Sequence, residues 1–504
     1  MDLVKETVAI VKDHWIVTSL MLFTVLVYWH YVVNFTALQQ LGIPGPKPLP
    51  FVGNFLLFLR KWKSLHTLFE EGHAKYGKVF GFYLLKQPSI VVADPEILKQ
   101  IMVKEFEKFP GRPNRGFDFP EPLKSMLTSV EGPAWKNLRS ILTPAFTSGK
   151  LKNMMYIMHE AGDTIVQKMG KAADENQVID IHKWQQSVTM EVILSAAYGL
   201  QSDCQTNPNE KVTSYVKRAM TPKPWPSIAL WIPFIGKKVS KSLLMSKWGL
   251  HWGPVIDIAK KILRERRSDG EKREDMLQNM LDAQHPEKKG HKMTEDELIG
   301  EMVLFMLAGY DTSSNVLGLT CYHLAVYPEI QEKVFQEIKN VCQSMDTVTY
   351  DEIKDMPYLE ACISETMRLC PPGFMTGRTV KESCVINGVR FKKDMAVLIP
   401  VYSLHRDEEF WSEPNTFKPE RFLPENKDSI TEFAYLPFGS GPRHCIGMRF
   451  AQMEMRTILV RMLQKFRMER CSETPVPVML ESRTVMSPGE PLWIQFKKRQ
   501  GPSE

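Results

Sequence analysis

The residue types most able to do chemistry in this chain sit in Phe438-Gly439-Ser440-Gly441-Pro442-Arg443-His444-Cys445-Ile446-Gly447, a glycine-spaced turn that delivers one cysteine. Gly439, Gly441 and Pro442 suit a tight turn with positive φ, while Ile446, Phe450, Met453, Ile458 and Leu459 carry the spacing of a buried helix. Cys445 is therefore expected at a helix N-terminus, where free N–H groups favour a thiolate and make it a soft metal ligand. Gly447 would let a large, flat ligand approach the backbone, and Arg443 could meet an acidic group at that ligand's edge. The competing reading is a free cysteine buried as a small hydrophobe.

A second cluster is Ala308-Gly309-Tyr310-Asp311-Thr312, inside a long apolar run. A mid-helix glycine costs about 1 kcal/mol relative to alanine, so glycine and carboxylate together mark a local inconsistency of the functional kind. Gly309 could open the helix for a ligand or water, and Asp311 with Thr312 could relay protons. The alternative is a kinked core helix with a solvent-facing Asp. Two further pairings are structural in type: Glu365 and Arg368 at i,i+3, and Trp135 with Arg139 one helical turn apart.

The elements that must position these groups are legible in outline. Thr294 with Glu297 forms a capping box ahead of the long run, and Pro357 opens the helix of Glu365. Val79 to Val92 reads as a hairpin, and Val389-Arg390-Phe391 and Val397-Leu398-Ile399 as short strands. Trp15 to Val33, long enough as a helix for roughly 28 Å, predicts a membrane anchor in preference to a cleaved signal peptide. The prolines of Leu41 to Pro50 then stiffen a connection. This divides the chain into an anchor (1–33), a Pro-rich hinge (34–53) and a catalytic domain (54–504). Thr221 to Lys238, apolar and flanked by lysines, could dip into a membrane or bury in a core, whereas Arg264 to Asp275 reads as a solvated, charged face.

Composition narrows the class. The 504 residues carry 43% hydrophobic and 10% aromatic side chains, ample for a large core, and a net charge of +6 without basic blocks. That balance suits a membrane surface or an acidic partner and argues against nucleic acid. Eight scattered cysteines without a CxxC pair indicate neither a zinc site nor a disulfide framework, in keeping with a reducing compartment. His405-Arg406-Asp407 echoes a kinase catalytic loop, but its companion motifs are missing.

The pattern Phe-x-x-Gly-x-Arg-x-Cys-x-Gly resembles the haem-binding loop of the cytochrome P-450 superfamily, and Leu41 to Asn54, Thr147 to Lys150 and Pro437 to Ala451 look most like its vertebrate drug- and steroid-oxidising family 3 branch and relatives. The resemblance implies a mainly α fold with a small β region, one large globular domain behind an N-terminal transmembrane helix, and haem b with Cys445 as the iron ligand. It places Phe438, Gly447 and Ala308 against the haem and Trp135, Arg139, Arg378 and Arg443 at its propionates. It makes Asp311 and Thr312 the acid-alcohol pair of oxygen activation, and Glu365, Arg368 and Arg421 a structural triad. Phe117, Phe119, Phe305, Phe374, Met375 and Val485 become substrate-pocket candidates. It further implies a monooxygenase of the endoplasmic reticulum membrane, facing the cytosol and acting on a lipophilic steroid, fatty acid or xenobiotic. Its electrons would come from NADPH through a flavoprotein reductase, with cytochrome b5 as a further partner and Arg443, His444, Arg449, Arg456 and Lys136 as a basic docking surface. Two other readings are an oxygen-independent peroxide isomerase, against which Thr312 argues, and a non-catalytic haem carrier.

Overall fold

The computed structural model describes residues 14–50, 52–113, 119–207, 210–221, 242, 251–270, 272–284 and 292–499. Its helices include α1 (Trp15–Asn34), α2 (Gly132–Leu142), α3 (Ile181–Tyr198), α4 (Lys211–Met220), α5 (Glu295–Val326), α6 (Pro357–Leu369) and α7 (Met448–Lys465). The mainly helical expectation is met, with a small β region beside it.

Helix α5 is the central strut. Thr294 Oγ1 accepts the N–H of Glu297 at 3.2 Å, and the Glu297 carboxylate accepts the N–H of Thr294 at 2.7 Å, which closes the capping box. From there 32 residues run as unbroken α-helix, with side chains buried on nearly every face, as expected of a helix inside a large core. Leu298, Leu317 and Leu319 are fully buried, each adding about 1.5–3 kcal/mol. The α-helix runs on through Gly309 without a break. A Cβ at this position would lie 2.6 Å from the Ile193 side chain, so the glycine is there to let α3 come close. Beside it, Thr189 of α3 donates to the Tyr310 carbonyl at 2.8 Å and locks the two helices together.

The sheet contains β1 (Val79–Leu84), β2 (Gln87–Val92), β3 (Thr376–Thr379) and β4 (Ala396–Ile399), in the order β1-β2-β4-β3. The anticipated hairpin pairs Val79 with Val92, while β4 runs parallel to β2 and antiparallel to β3. A separate hairpin joins Cys384–Ile386 to Val389–Phe391. The proline-rich stretch packs onto β1: the Pro44 carbonyl accepts the Gly81 N–H at 2.7 Å, and Leu38 is buried with its N–H on the Tyr83 hydroxyl.

In α1, side chains such as Met21, Phe23 and Trp29 are exposed. The side chains of 30–34 lie outside the description, and among the described residues no helix is long and apolar enough to cross a membrane. Apart from Thr221, all of the Thr221 to Lys238 segment also lies outside it. The charged Arg264 to Asp275 stretch is not simply solvated. Arg266 and Asp275 are both buried and paired, and Arg266 also donates to the Tyr198 carbonyl at 2.7 Å, because α3 packs over them.

A candidate cysteine-centred active site

The cysteine turn closes on itself. Gly439 and Gly441 have φ of +69° and +70°, and the Cys445 N–H donates to the Phe438 carbonyl at 2.9 Å. A Cβ on Gly441 would overlap the Met102 carbonyl oxygen, so only glycine fits that strained, crowded point. Phe438 is half-buried against the main core. Helix α7 begins at Met448 with Gly447 as N-cap, three residues beyond the position expected for Cys445. Burial pushes the Cys445 thiol up, and the Gly447 N–H, Arg139 and Arg112 oppose this without overcoming it. A metal cation bound at the sulfur would act in the opposite direction and favour the thiolate.

Cys445 is enclosed by protein yet keeps accessible surface, so it faces interior space. Ala308 does the same in the middle of the otherwise buried α5. Glu301, Phe305, Ala308 and Thr312 follow helical spacing along one face. Phe146 links the two sides. Its ring packs edge-on against Phe305 at 6.0 Å, and a Cβ on Gly447 would lie 3.8 Å from it. Thr312 Oγ1 donates to the Ala308 carbonyl at 2.7 Å. Asp311 turns elsewhere: it is buried, accepts from Gln186 Nε2 at 3.5 Å, and is raised to about 6 by burial, with Gln186 and Lys217 opposing.

Around the cysteine turn the structure gathers cations. Arg443 is buried rather than displayed for a partner. It donates to the carbonyls of Pro110, Leu127 and Val130 at 3.1, 3.3 and 2.9 Å, and its guanidinium lies 4.4 Å from the centre of the Trp135 ring. Arg139 of α2 donates to the His444 carbonyl at 3.1 Å. Arg378 on β3 is fully buried; its Nη1 reaches the Gly377 carbonyl while its Nε has no hydrogen-bond partner. Burial and the neighbouring Arg112 and Arg443 push Arg378 down to about 9. Burial, then Arg112, push Arg443 down to about 10. Buried guanidiniums that repel one another, with an orphaned N–H, call for anionic groups among them, and haem propionates are such groups. With the open sulfur and the cradle at Gly447, these residues fit a haem.

Arg112 was missed in the sequence because a lone Arg before a proline carries no pattern. Strand pairing brings it in, since the Gly111 carbonyl accepts the Thr379 N–H at 3.0 Å at the end of β3. One residue ties the two sides together. The Leu127 carbonyl accepts from Arg443, while its N–H donates to the buried Glu301 carboxylate of α5.

Behind the site, Glu365 and Arg368 of α6 form a bidentate pair at 2.7 and 2.8 Å, both fully buried, and Arg421 joins Glu365 at 3.4 Å. Remaining Arg368 donors reach the carbonyls of His405, Pro414 and Thr416. His405 links this cluster to the cysteine turn, because its Nε2 accepts the Leu436 N–H at 2.8 Å. With Nε2 an acceptor, Nδ1 carries the proton and donates to the Arg368 carbonyl at 3.3 Å.

Of the pocket candidates, Phe117 lies outside the described residues. Phe305 and Phe374 are buried, and Phe119, Met375 and Val485 half-buried. The turn beyond Val485 is tied to α5 by the Asn315 side chain on the Met486 carbonyl at 2.9 Å, and Met486 N–H reaches the Pro372 carbonyl. On the outer face, His444 and Arg449 are exposed, whereas Lys136 pairs with Glu107 at 3.0 Å and Arg456 with Glu360.

A family model described as Cytochrome P450 matches residues 43–496. The chain is 36% identical to "Cytochrome P450 3A56" of Fundulus heteroclitus, covering 96% of this chain and 97% of the relative. It is 35% identical to "Cytochrome P450 3A5" of Homo sapiens, covering 99% of both.

Proposed function

The chain belongs to the cytochrome P450 family, and from that premise we propose that this haem-dependent monooxygenase inserts one oxygen atom of O2 into a lipophilic substrate, with electrons from NADPH delivered through a flavoprotein reductase. The observation that carries this reading is Cys445, open to enclosed interior space on one side of Phe146, with Phe305 and the Ala308 to Thr312 face of α5 on the other. Bound there, haem supplies the iron centre at which dioxygen is activated.

The chain's own groups have the following parts. Cys445 would hold the iron through sulfur, Arg378, Arg443 and Arg112 would neutralise the propionates, and Trp135 would help to seat them. Arg139 steadies the turn at His444. Phe305, Phe374, Met375 and Val485 exclude water and hold an apolar ligand. Thr312, its hydroxyl parked on the Ala308 carbonyl, passes protons that Asp311 supplies. The exposed apolar α1 anchors the protein in the endoplasmic reticulum membrane, with residues 54–504 as the catalytic domain facing the cytosol and cytochrome b5 as a second electron donor. Thr312 favours oxygen insertion over peroxide rearrangement, which has no use for a proton relay.

The test is product formation with and without reductase and dioxygen. Product that requires both is expected; equal product without either would reject monooxygenation. Replacing Thr312→Ala should uncouple NADPH use from product, and unchanged coupling would refute the relay.

A further inference from the structure

Val485 and Phe374 belong to segments far apart in sequence, yet both segments come to one histidine. Ser482, fully buried, ends the strand Leu480–Ser482 and pairs with Met486 across the turn that carries Val485. Its N–H donates to the Lys63 carbonyl at 2.7 Å, and its hydroxyl meets His66 twice. Ser482 Oγ accepts the His66 N–H at 3.0 Å and lies 2.7 Å from Nδ1. His66 opens the first turn of the helix Leu65–Tyr76, whose own N-cap, Ser64, makes no side-chain cap bond. Ser482 therefore caps this helix from 416 residues away. With the backbone N–H accepted, the hydroxyl completes its bonding by donating to Nδ1, and the ring carries its proton on Nε2. Burial, then Arg406 and Lys61, push His66 down to about 4, so the ring stays neutral and Nδ1 accepts. The same ring packs edge-on against Tyr402 at 4.6 Å, and the Tyr402 N–H donates to the Phe374 carbonyl at 3.0 Å.

We propose that His66 and Ser482 are positioning residues for substrate selection: the imidazole–hydroxyl pair fixes where the Val485 turn stands relative to Phe374, and so how wide a ligand the pocket admits. This rests on the reading of Val485, Phe374 and Met375 as pocket wall given above. The turn is pinned at both ends. Its Met486 end is held by the Pro372 carbonyl and the Asn315 side chain, each at 2.9 Å, and its Ser482 end by His66 and Lys63. Without the side-chain pair, the Ser482 end keeps a single backbone bond, so that end yields when a wide group presses on Val485. A wall fixed by a buried hydrogen bond refuses such a group, whereas a yielding wall accepts it.

The experiment uses the full-length, haem-loaded protein and three probes that bind haem iron through an imidazole nitrogen: imidazole, N-benzylimidazole and N-tritylimidazole. Dissociation constants are read from the shift of the haem absorption band. Ser482→Ala and His66→Leu should each move the preference between the trityl and benzyl probes about tenfold toward the wider one, the scale of one lost hydrogen bond. Imidazole, too small to meet the wall, should bind both variants as it binds wild type. His66→Asn, whose side-chain oxygen stands in for Nδ1, should keep the wild-type preference although it lacks the ring that packs on Tyr402. Hydrogen exchange over residues 480–488 should quicken in Ser482→Ala and His66→Leu and not in His66→Asn. An unchanged preference in the first two variants, or a His66→Asn variant that behaves like His66→Leu, would overturn the proposal. Equal weakening of all three probes would overturn it too, since that is general loosening and not selection. A wild-type protein whose haem band ignores imidazole would reject the ligand pocket itself, a different failure from a working pocket whose selectivity ignores His66.

Discussion

Arg368 and His405 hold each other reciprocally: an Arg368 N–H donates to the His405 carbonyl at 2.8 Å, and the His405 ring donates to the Arg368 carbonyl at 3.3 Å. The other ring nitrogen holds Leu436, two residues before Phe438, so the buried Glu365–Arg368 pair supports the cysteine turn. Glu365→Ala leaves an uncompensated buried guanidinium and should cost about 3–5 kcal/mol. Denaturant unfolding of the holoprotein measures it, and the fraction loaded with haem should fall in parallel.

Gly309 provides a test of helix packing. Gly309→Ala gains about 1 kcal/mol of helix propensity but drives a methyl into Ile193, an overpacking cost of about 1–3 kcal/mol. The single variant should be destabilised, and Gly309→Ala with Ile193→Ala should recover part of the loss. A double-mutant cycle on unfolding free energies reads the coupling, and additive effects would contradict the contact.

Arg378→Met should act with opposite signs on two states. It removes a buried cation repelled by Arg112 and Arg443, so the haem-free protein should become more stable. It also removes a propionate partner, so haem should leave faster. Thermal unfolding without haem and haem transfer to an acceptor protein check the two halves.

Stability should fall as pH rises from 6.5 to 8. Burial raises Glu301 and Glu454 from 4.5 to about 8, so the folded state keeps protons that the unfolded state has released, and each charging buried acid costs stability through this window. His323 and His405, lowered by burial from 6.5 to about 3, act below it, where falling pH is destabilising. Each carboxyl contributes about 1.4 kcal/mol per pH unit. Glu454→Gln should roughly halve the slope between pH 6.5 and 8, measured by denaturant midpoints across that range.

What the sequence disclosed was local. The cysteine turn, the Thr294 capping box and the Glu365–Arg368 spacing are each written within about ten residues, and the structure forms all three. What stayed hidden depends on distant partners. Arg112 matters because a strand pairing sets it beside Arg378, His405 because it meets Leu436, and Gln186 because α3 crosses α5. The packing role of Gly309 stayed hidden for the same reason: its neighbour Ile193 lies 116 residues earlier, and the local cost of glycine gives no hint of what comes close. Arg443, expected both at a propionate and on a docking surface, can serve only inside, since three carbonyls hold it there.

Leu127 has a mechanical consequence. Its N–H is held by Glu301 of α5 and its carbonyl by Arg443, two residues from the sulfur, so two planar peptide units meeting at its Cα span the gap. Leu127 thus couples α5 to the cysteine turn through a short, hinged pair of hydrogen bonds. It is a single shared backbone point for the helix above the pocket and the turn that carries Cys445, so loss of either bond should loosen both.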